Sequence, residues 1–559
     1  MSVPVPPPEL PLGYHVENLS TLLQGVMDQY ADLLNGDELQ LYERFNTLSA
    51  SAKSLYCRLL TRQGTILRQD KLNYVDVPDL DGILAELEQA GLGKRNHPVA
   101  TEELLNLLTR PELIEHFQPP GRSKLKKPEL IKLILATHNE GAIHECIQSR
   151  FPYVEAHFQI AFETYKLCFF GNSYQDLTEF VISELGHVQY EHYSLCRETR
   201  YFQTREQIEQ QLHYARTRQQ LEDKSLLQDA ARLLELARSL PQPDQHPHLQ
   251  RRYQKTLLPI ARQLERLEQY EEALILFRLC DRHPSRERQA RILKKLGLLD
   301  ESLALCHQIL EASQHPEELE FVARFLPQLH RALGKKSKPK TKTQWRENHL
   351  TLANSEDSVE WITAAALTDE DHVCCYVENT LFNGLFGLLF WDIIFAAVPG
   401  AFINPFQRGP LDLNGGDLNG EDFYQRRKAA VDDRLDQLNH RAWQQTVRRH
   451  YESKQGLANP FVFWEALPVE LLDLALDRIP PRHLQVIFQR MLQHPGLYRN
   501  GFPDLIRFST AAHSDRTYEL IEVKGPGDKL QANQIRWLNE FAAAGIPASV
   551  CWVSWDNND

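Results

Sequence analysis

The chain has 559 residues, which is too long for a single hydrophobic core and favours roughly two to four domains. Its apolar content of 42% and charged content of 25% are ordinary for a globular protein. The formal net charge of −13 excludes a uniformly basic nucleic-acid-binding protein, so contacts with phosphate would depend on local groups of Lys and Arg. The 9 cysteines are scattered without a CxxC pair, which argues against a zinc finger or a disulfide framework and favours a reducing, intracellular compartment.

Residues 381–398 form a stretch that is apolar enough to suggest a membrane span. The stretch contains Asn383 and Asp392, which are costly in a lipid interior, so a buried helix of a globular domain explains it better. The N-terminus has neither the basic start nor the apolar core of a signal peptide. We therefore expect no membrane association.

The first hundred residues predict helices and a possible DNA-binding unit. Residues 1–50 combine a Pro-rich lead with a helical pattern. Residues 51–100 predict two helices and a small wing, which is typical of a winged helix; Asp79 would cap its second helix and Gly91 would end it. The charges of this unit that would face DNA are Arg62, Arg68 and Lys71.

The helical region 101–200 contains the densest basic cluster of the first half of the chain. Short amphipathic helices are predicted on both sides of a Pro-Gly turn. The cluster at this junction consists of Arg122, Lys124, Lys126, Lys127 and Lys132. Contacts with DNA phosphates are one interpretation, because ammonium groups at a helix start neutralise backbone charge without reading bases. A solvated, charged helix end is the alternative.

Residues 201–342 are helical throughout in their pattern. Segments beginning at Tyr270 and Leu298 resemble tetratricopeptide-like helix pairs, although their spacing is too irregular for a regular array. The basic, Pro-containing stretch 334–345 predicts a linker or an exposed loop, and hence a domain boundary. The remaining residues, 343–559, contain more aromatic and β-branched residues and strand-like runs.

The strongest chemical signal lies near the C-terminus. The run Tyr518–Lys524 alternates as a strand does, so Glu522 and Lys524 project from one face. A Gly-Pro-Gly turn ends the strand, and an amphipathic helix and a further strand follow. Upstream, Asp504 precedes a strand-like run at 505–508, and antiparallel pairing would bring Asp504 beside Glu522.

Two carboxylates and a lysine at one edge of a sheet suit phosphodiester hydrolysis. Asp504 and Glu522 offer the oxygen ligands that Mg²⁺ or Mn²⁺ prefers, and Val523 would contribute its backbone carbonyl. Such a metal acidifies water, while Lys524 would orient or deprotonate the attacking water or stabilise the transition state. An E-x-K pair by itself is equally typical of a surface strand with a salt bridge. The combination with the Pro-Asp pair, the turn and the helix favours a metal-dependent nuclease.

These motifs resemble the PD-(D/E)xK nucleases, in the version called the virus-type replication-repair nuclease (VRR-NUC) domain. RNGFPDL and EVKGPGDKLQANQIRW are similar to two diagnostic blocks of that domain, and Asp504, Glu522 and Lys524 match its motif. VENTLFNGLFGLLFWDIIFAAVPGAF and PFQRGPLDL are similar to the region just upstream in Fanconi-anaemia-associated nucleases. The winged-helix-like, SAP-like (101–200) and tetratricopeptide-like order also resembles that family. The resemblance implies a multidomain chain, mainly α in its N-terminal and middle regions, with a C-terminal α/β core whose mixed sheet is flanked by helices.

The resemblance also implies further site residues. It selects Glu378, on the long apolar helix, as a third metal ligand, although Glu378 alone is no different from an ordinary helix-start glutamate. Gln534 would support the site from the helix after the turn, with an ordinary surface position as the alternative. Arg499 and Lys529 would contact phosphates. Asn533 stands where animal relatives carry a lysine, which argues against an inherited 5′-phosphate pocket.

The implied activity is incision of 5′ flaps and branched DNA near the junction, with 5′-to-3′ trimming, in the repair of interstrand crosslinks. Mg²⁺ or Mn²⁺ would be the cofactor, and branched or 5′-flap DNA the partner of a monomeric, cytoplasmic and nucleoid-associated bacterial enzyme, or of a nuclear one in a eukaryote. A Holliday-junction resolvase is the nearest alternative, since small domains of this type resemble resolvases. A DNA-binding repeat scaffold without activity is an alternative of another class.

Overall fold

The computed structural model describes residues 13–62, 64–119, 125–172, 175–184, 188–243, 246–313, 315–335, 345–353, 356–414, 423–440, 442–510 and 517–556. The chain divides into two compact units, one of Met1–His187 with Cys196–Ala215 and the other of Val188–Leu195 with Arg216–Asp559. The first three segments predicted from the sequence lie mainly in the first unit, the fourth (201–342) begins there but lies mainly in the second, and the last lies in the second.

The first unit opens with a helical bundle and a small sheet. Its elements here are α1 (Tyr14–Tyr30), α2 (Gly36–Thr47), α3 (Ala50–Thr61), β1 (Ile66–Arg68), α4 (Leu80–Gln89), β2 (Gly93–Arg95) and, much later, β3 (Tyr153–Ala156). Asp79 caps α4 as predicted, because its carboxylate accepts the backbone N–H of Gly82 at 3.0 Å, and Gly91 follows the helix with a φ of 69°. β3 lies between β1 and β2 and is antiparallel to both. The winged-helix unit predicted over 51–100 therefore does not include β3, the central strand of this small sheet.

The helices between β2 and β3 enclose a separate apolar core. They are α5 (Thr101–Leu107), α6 (Arg110–Phe117), α7 (Lys127–Thr137) and α8 (Glu140–Arg150). Leu104, Leu113, Ile131 and Ile147 are buried together in that core. The predicted Pro-Gly turn lies outside the described residues. The following helices are α9 (Gln159–Phe170), α10 (Thr178–Glu184) and α11 (Arg205–Gln220).

The second unit contains a run of helices in which each packs on the next. They are α12 (Ala230–Ser239), α13 (Pro247–Arg266), α14 (Tyr270–Arg278), α15 (Ser285–Lys295), α16 (Leu299–Glu311) and α17 (Pro316–Ala332). Cys306, Phe321 and Phe325 belong to the core of its last helices. Sequential packing is what the helix-pair patterns predict. Most of the predicted linker lies outside the described residues.

The rest of the second unit is built on a mixed sheet. Its strands are β4 (Arg346–Leu352), β5 (His372–Tyr376), β6 (Leu505–Ser509), β7 (Tyr518–Lys524) and β8 (Ala548–Trp555). Among the described residues their order is β4-β8-β7-β6-β5, with parallel pairing of β8 to β4 and β7 and antiparallel pairing of β6 to β5 and β7. The predicted mixed sheet is therefore confirmed, and β7, which is buried along its length, lies at its centre.

Helices flank this sheet. They are α18 (Val359–Ala366), α19 (Leu381–Leu389), α20 (Trp391–Ile394), α21 (Phe423–Arg426), α22 (Lys428–Asp436), α23 (Ala442–Ser453), α24 (Val469–Arg478), α25 (Pro481–Gln493), α26 (Pro495–Tyr498) and α27 (Ala532–Ala544). Leu520 of β7 belongs to the large core on one face, while Ile521 and Val523 belong to a smaller core on the other. The alternation of the strand thus directs successive side chains to opposite faces.

The apolar stretch 381–398 forms two short helices, α19 and α20, and not the single helix expected from the sequence. Every residue of α19 is buried, and a Cβ at Gly384 or Gly387 would lie 2.9 or 2.7 Å from a neighbouring side chain. Asp392 pairs with Arg434 at 2.7 Å, so its charge is satisfied within the fold. In the part of the chain that the structure describes, no helix is both long and apolar enough to cross a bilayer.

Candidate active site

Asp504 and Glu522 lie side by side where β6 begins and β7 ends. The register pairs Leu505 with Ile521, which sets Asp504 opposite Glu522 as the sequence predicts. Asp504 Oδ2 accepts the backbone N–H of Val523 at 2.7 Å. Asp504 is only 5% exposed and Glu522 is fully buried at 0%, so both carboxylates are shielded from bulk water.

Lys524 completes the pair on the same face of β7. Its Nζ lies 2.6 Å from Glu522 Oε1 and donates a hydrogen bond to the backbone carbonyl of Val523 at 2.9 Å. The backbone carbonyl of Val523, which was predicted as a metal ligand, therefore accepts a hydrogen bond from Lys524 in this structure. Apart from this ion pair, neither oxygen of Glu522 receives a hydrogen bond from a described residue.

Glu378 lies in the turn between β5 and α19, so the expectation that it lies on the apolar helix is wrong. The helix begins only at Leu381, after Asn379 has taken a left-handed backbone conformation with a φ of 51°. Glu378 Oε2 accepts the hydroxyl of Tyr376 at 2.7 Å, and Oε1 accepts the Asn379 side-chain amide at 3.1 Å. The glutamate is thus held in place by two neighbours in the chain.

The turn of Glu378 is tied to the loop that carries Asp504. Asn379 Oδ1 accepts the backbone N–H groups of Gly501 and Phe502, at 2.8 and 3.1 Å. The backbone N–H of Val377 donates to the carbonyl of Asp504 at 2.8 Å. Asn379 and Tyr376 were missed by the sequence analysis. The tolerance of asparagine for positive φ marks Asn379 as a turn residue, but nothing local indicates which loop it would bind.

Electrostatics set these carboxyl groups apart from ordinary surface acids. Burial, and then the charge of Asp504, raises the pKa of Glu522 to about 8, although Lys524 acts in the opposite direction. Burial also raises the pKa of Asp504 to about 6, against the Val523 N–H and Lys524, and the charge of Glu378 adds to the increase in both. Lys524 thus acts on both Glu522 and Asp504, while the nearby charge of Glu378 opposes it at each.

These residues fit a divalent cation. Among the described residues, Lys524 is the one ion-pair partner of buried Glu522, and one ammonium group cannot balance three carboxylates. Oxygen ligands in such an arrangement suit a hard cation, whose charge would favour the ionised form of each.

The other residues predicted around the site have varied positions. Gln534 lies in the first turn of α27, where its side-chain oxygen accepts the backbone N–H of Gln531 at 2.8 Å and stabilises the helix start. Its predicted support of the site thus stays a prediction. Lys529 is exposed and Arg499 is half-buried. Asn533 packs closely against Gly501, because a Cβ added to Gly501 would lie 2.8 Å from the Cβ of Asn533.

In the first unit, the sequence predicts that Arg68 faces DNA, but the structure buries this side chain. It is 7% exposed, its guanidinium binds Asp70 and Glu112 at 2.6 and 2.8 Å, and it lies over the ring of Phe151. The prediction that Arg68 contacts DNA is therefore wrong, because its charge is already paired within the core. Arg62 and Lys71 are exposed.

The basic cluster near α7 is described only in part. Arg122 and Lys124 lie outside the described residues. Lys126 and Lys132 are exposed, whereas Lys127 is half-buried and donates to the backbone carbonyl of Asn106 at 2.8 Å. Lys126 and Lys132 thus have the accessibility that a phosphate contact needs.

Comparisons with known proteins agree with this site. The VRR-NUC domain family matches residues 439–555, and the FAN1 HTH domain family matches residues 13–93. The fold and the site together define a nuclease of the VRR-NUC class, which implies dependence on a divalent metal. Glu378 lies outside the range matched by the VRR-NUC family.

Full-length relatives give the family itself. The chain is 34% identical over 565 residues to the Fanconi-associated nuclease 1 homolog of Pseudomonas aeruginosa, covering 100% of this chain and 99% of that protein. A crystal structure of paFAN1 bound to 2nt 5′ flap DNA with a gap has a TM-score of 0.86 at 33% identity and covers 99% of this chain and 100% of that one. The chain therefore belongs to the Fanconi-associated nuclease 1 family. The Arabidopsis thaliana homolog is 24% identical over 96% of this chain, but the match covers only 66% of that longer protein.

Proposed function

We propose that this nuclease cuts branched DNA with a 5′ flap, at a centre formed by Glu378, Asp504, Glu522 and Lys524 that uses Mg²⁺ or Mn²⁺. The observation that carries the proposal is the buried pair of Asp504 and Glu522 beside Lys524, with half-buried Glu378 nearby. The similarity to a protein crystallised on 5′-flap DNA supports the choice of substrate. The 5′-to-3′ trimming expected from the family belongs to the same proposal.

Each residue of the centre has a role that follows from its contacts. Glu522, Asp504 and Glu378 would hold the cation through carboxylate oxygens, with the Val523 carbonyl available once Lys524 turns toward substrate. The bound cation would supply positive charge to the phosphate and acidify a water molecule. Lys524 keeps an ammonium group beside Glu522, from where it would stabilise the negative charge that develops on the phosphate during hydrolysis. It can also orient the attacking water through its free hydrogens.

DNA binding would depend on phosphate contacts, because the family's substrates are distinguished by shape. Exposed Lys529 and half-buried Arg499 are close in sequence to the catalytic residues, and each would neutralise a backbone phosphate. Exposed cations of the first unit would add contacts that carry no base specificity; they are Arg62, Lys71, Lys126 and Lys132.

The test is cleavage of a 5′-flap duplex labelled on each strand in turn. Wild type, Glu522→Gln and Lys524→Ala are compared in Mg²⁺, Mn²⁺ and EDTA, with DNA binding measured in Ca²⁺. Glu519→Gln is the matched control, because Glu519 lies on the same strand but pairs with Arg507 on the other face. We expect metal-dependent cuts near the junction, reduced about 100-fold or more in the two site variants while binding persists. Wild type that binds but never cuts would instead favour the inactive scaffold.

A four-way junction in the same assay addresses the resolvase alternative. Resolvases cut symmetrically as dimers, whereas we expect a monomer that makes asymmetric cuts and prefers the flap. Paired symmetric nicks, together with a dimer in light scattering, would favour the resolvase. A role in interstrand-crosslink repair and association with the nucleoid, or a nuclear location in a eukaryote, are tested by the crosslinker sensitivity of cells lacking the protein and by imaging a tagged chain.

A further inference from the structure

A group of histidines lies in the helical repeats of the second unit, away from the nuclease residues in the sequence. His283 lies in the loop before α15, His315 caps the start of α17, and Glu317 is in its first turn. The rings of His283 and His315 stack with centroids 4.6 Å apart and planes inclined by 11°. The nuclease mechanism does not use any of these residues.

The three side chains bring one possible ligand atom each close together. His283 Nδ1 lies 3.3 Å from Glu317 Oε2, and His315 Nδ1 lies 3.7 Å from the same oxygen. Their ligand atoms all lie within 4.8 Å of one another. Ligands of a tetrahedral zinc ion are about 3.4 Å apart, given metal–ligand distances of about 2.1 Å. Coordination by all three would require one of the stacked rings to turn out of its parallel plane and His315 Nδ1 to exchange the backbone N–H of Glu317, which it accepts at 3.3 Å, for the ion.

Neighbouring groups hold this arrangement. The second ring nitrogen of His283, Nε2, lies 3.6 Å from Glu287 Oε2, so a carboxylate faces the side of the ring away from Glu317. This distance is longer than a hydrogen bond, and a carboxylate that closed it on metal binding would fix the orientation of the histidine and make it a better donor. His283 and His315 are only 20% and 15% exposed, which limits competition from water, whereas Glu317 is 40% exposed and leaves an approach for an ion.

A third histidine connects this group to the segment that leads into the nuclease site. The His494 ring contacts that of His315 edge to face at 4.6 Å, and its buried Nδ1 has no hydrogen-bond partner among the described residues. His494 caps α26, which is followed by the loop that carries Asp504.

We propose that His283, His315 and Glu317 form a second metal site, which binds a borderline transition metal such as Zn²⁺ and leaves a fourth position to solvent. Two imidazoles and one carboxylate are typical ligands of zinc, whereas Mg²⁺ prefers the oxygen ligands of the nuclease centre. The two sites therefore select different ions, and this second site does not depend on the proposed cleavage of DNA.

The test is titration of the chelator-treated full chain with Zn²⁺ in saturating Mg²⁺, followed by calorimetry, with Co²⁺ absorption as a report of nitrogen ligands. His283→Ala and His315→Ala remove a ligand, and Glu287→Gln removes only the group that orients His283. His307→Ala is the control, because His307 is an exposed histidine on the adjacent helix α16. The thermal midpoint of each variant without zinc shows whether it is folded.

We expect one zinc ion per chain that Mg²⁺ does not displace, with an increase in the thermal midpoint. Glu287→Gln should weaken the affinity by about 10- to 100-fold, and loss of a ligand should weaken it by more. His307→Ala should bind as wild type does. Two results would overturn the proposal: wild type that takes up no zinc in Mg²⁺, or zinc uptake that Glu522→Gln abolishes and folded His283→Ala and His315→Ala retain.

Discussion

Binding of Mg²⁺ at the nuclease centre should release about one proton per chain near neutral pH, because the carboxyl pair retains a proton in the metal-free protein. Burial and the adjacent Asp504 raise the pKa of Glu522 to about 8, and burial raises that of Asp504 to about 6. Glu378 and Glu360 also face Asp504 and act in the same direction, while Lys524 opposes them. At pH about 7, Glu522 therefore keeps about 0.9 of a proton and Asp504 about 0.1.

The sign of the pH dependence follows from these two groups. A cation binds the ionised forms, so the apparent affinity for Mg²⁺ should rise about 10-fold per pH unit between about 6 and 8 and level off above about 8. Because folding raises the pKa values of both carboxyl groups, their protonated forms stabilise the metal-free fold, and this contribution is fully present at low pH. That stability is lost as the pH rises from about 4, where the unfolded carboxyls ionise, through about 8.

Calorimetry in buffers of different ionisation enthalpy measures the released protons directly. Mg²⁺ avoids a contribution from the histidine site, because that ion prefers oxygen ligands. Glu522→Gln should bind Mg²⁺ more weakly and release only about 0.1 of a proton, and Glu519→Gln should behave as wild type does. A wild type that binds Mg²⁺ without releasing protons, with an affinity that is flat across this pH range, would refute the reasoning.

Three further variants test the structure. Asn379→Ala removes the acceptor of the Gly501 and Phe502 N–H groups at a positive φ, so it should cost about 1–3 kcal/mol in urea unfolding and slow cleavage; unchanged cleavage would contradict its role in holding the loop. Trp537→Ala should cost about 3–5 kcal/mol, because the ring is 1% exposed and stacks on Phe502 at 4.3 Å; a loss below about 1 kcal/mol would show that this core can collapse. Arg68→Ala should destabilise the first unit by about 2 kcal/mol without changing the salt dependence of DNA binding. Lys126→Ala should leave the stability unchanged. If Lys126 contacts a phosphate, the substitution should lower the slope of log affinity against log salt concentration by about 1.

The nuclease core was largely predictable because its signals are local. Strand alternation places Glu522 and Lys524 on one face, and the Gly-Pro-Gly turn marks the end of β7. The short connection between β6 and β7 makes antiparallel pairing the natural outcome, and this pairing sets Asp504 opposite Glu522. The free thiols at all nine cysteines also agree with the scattered pattern.

Other features depend on contacts between distant segments. The sequence by itself determined the polar and apolar periods, the caps and the motif, since each is set within a few residues. Only the tertiary structure decided that Glu378 lies in a turn held to the Asp504 loop by Asn379, that Arg68 is buried against Glu112, and that β3 lies between β1 and β2 in the small sheet. The physical reason is that partners far apart in the chain have no fixed spacing, so their pairing is chosen by packing and by the need to satisfy buried charge.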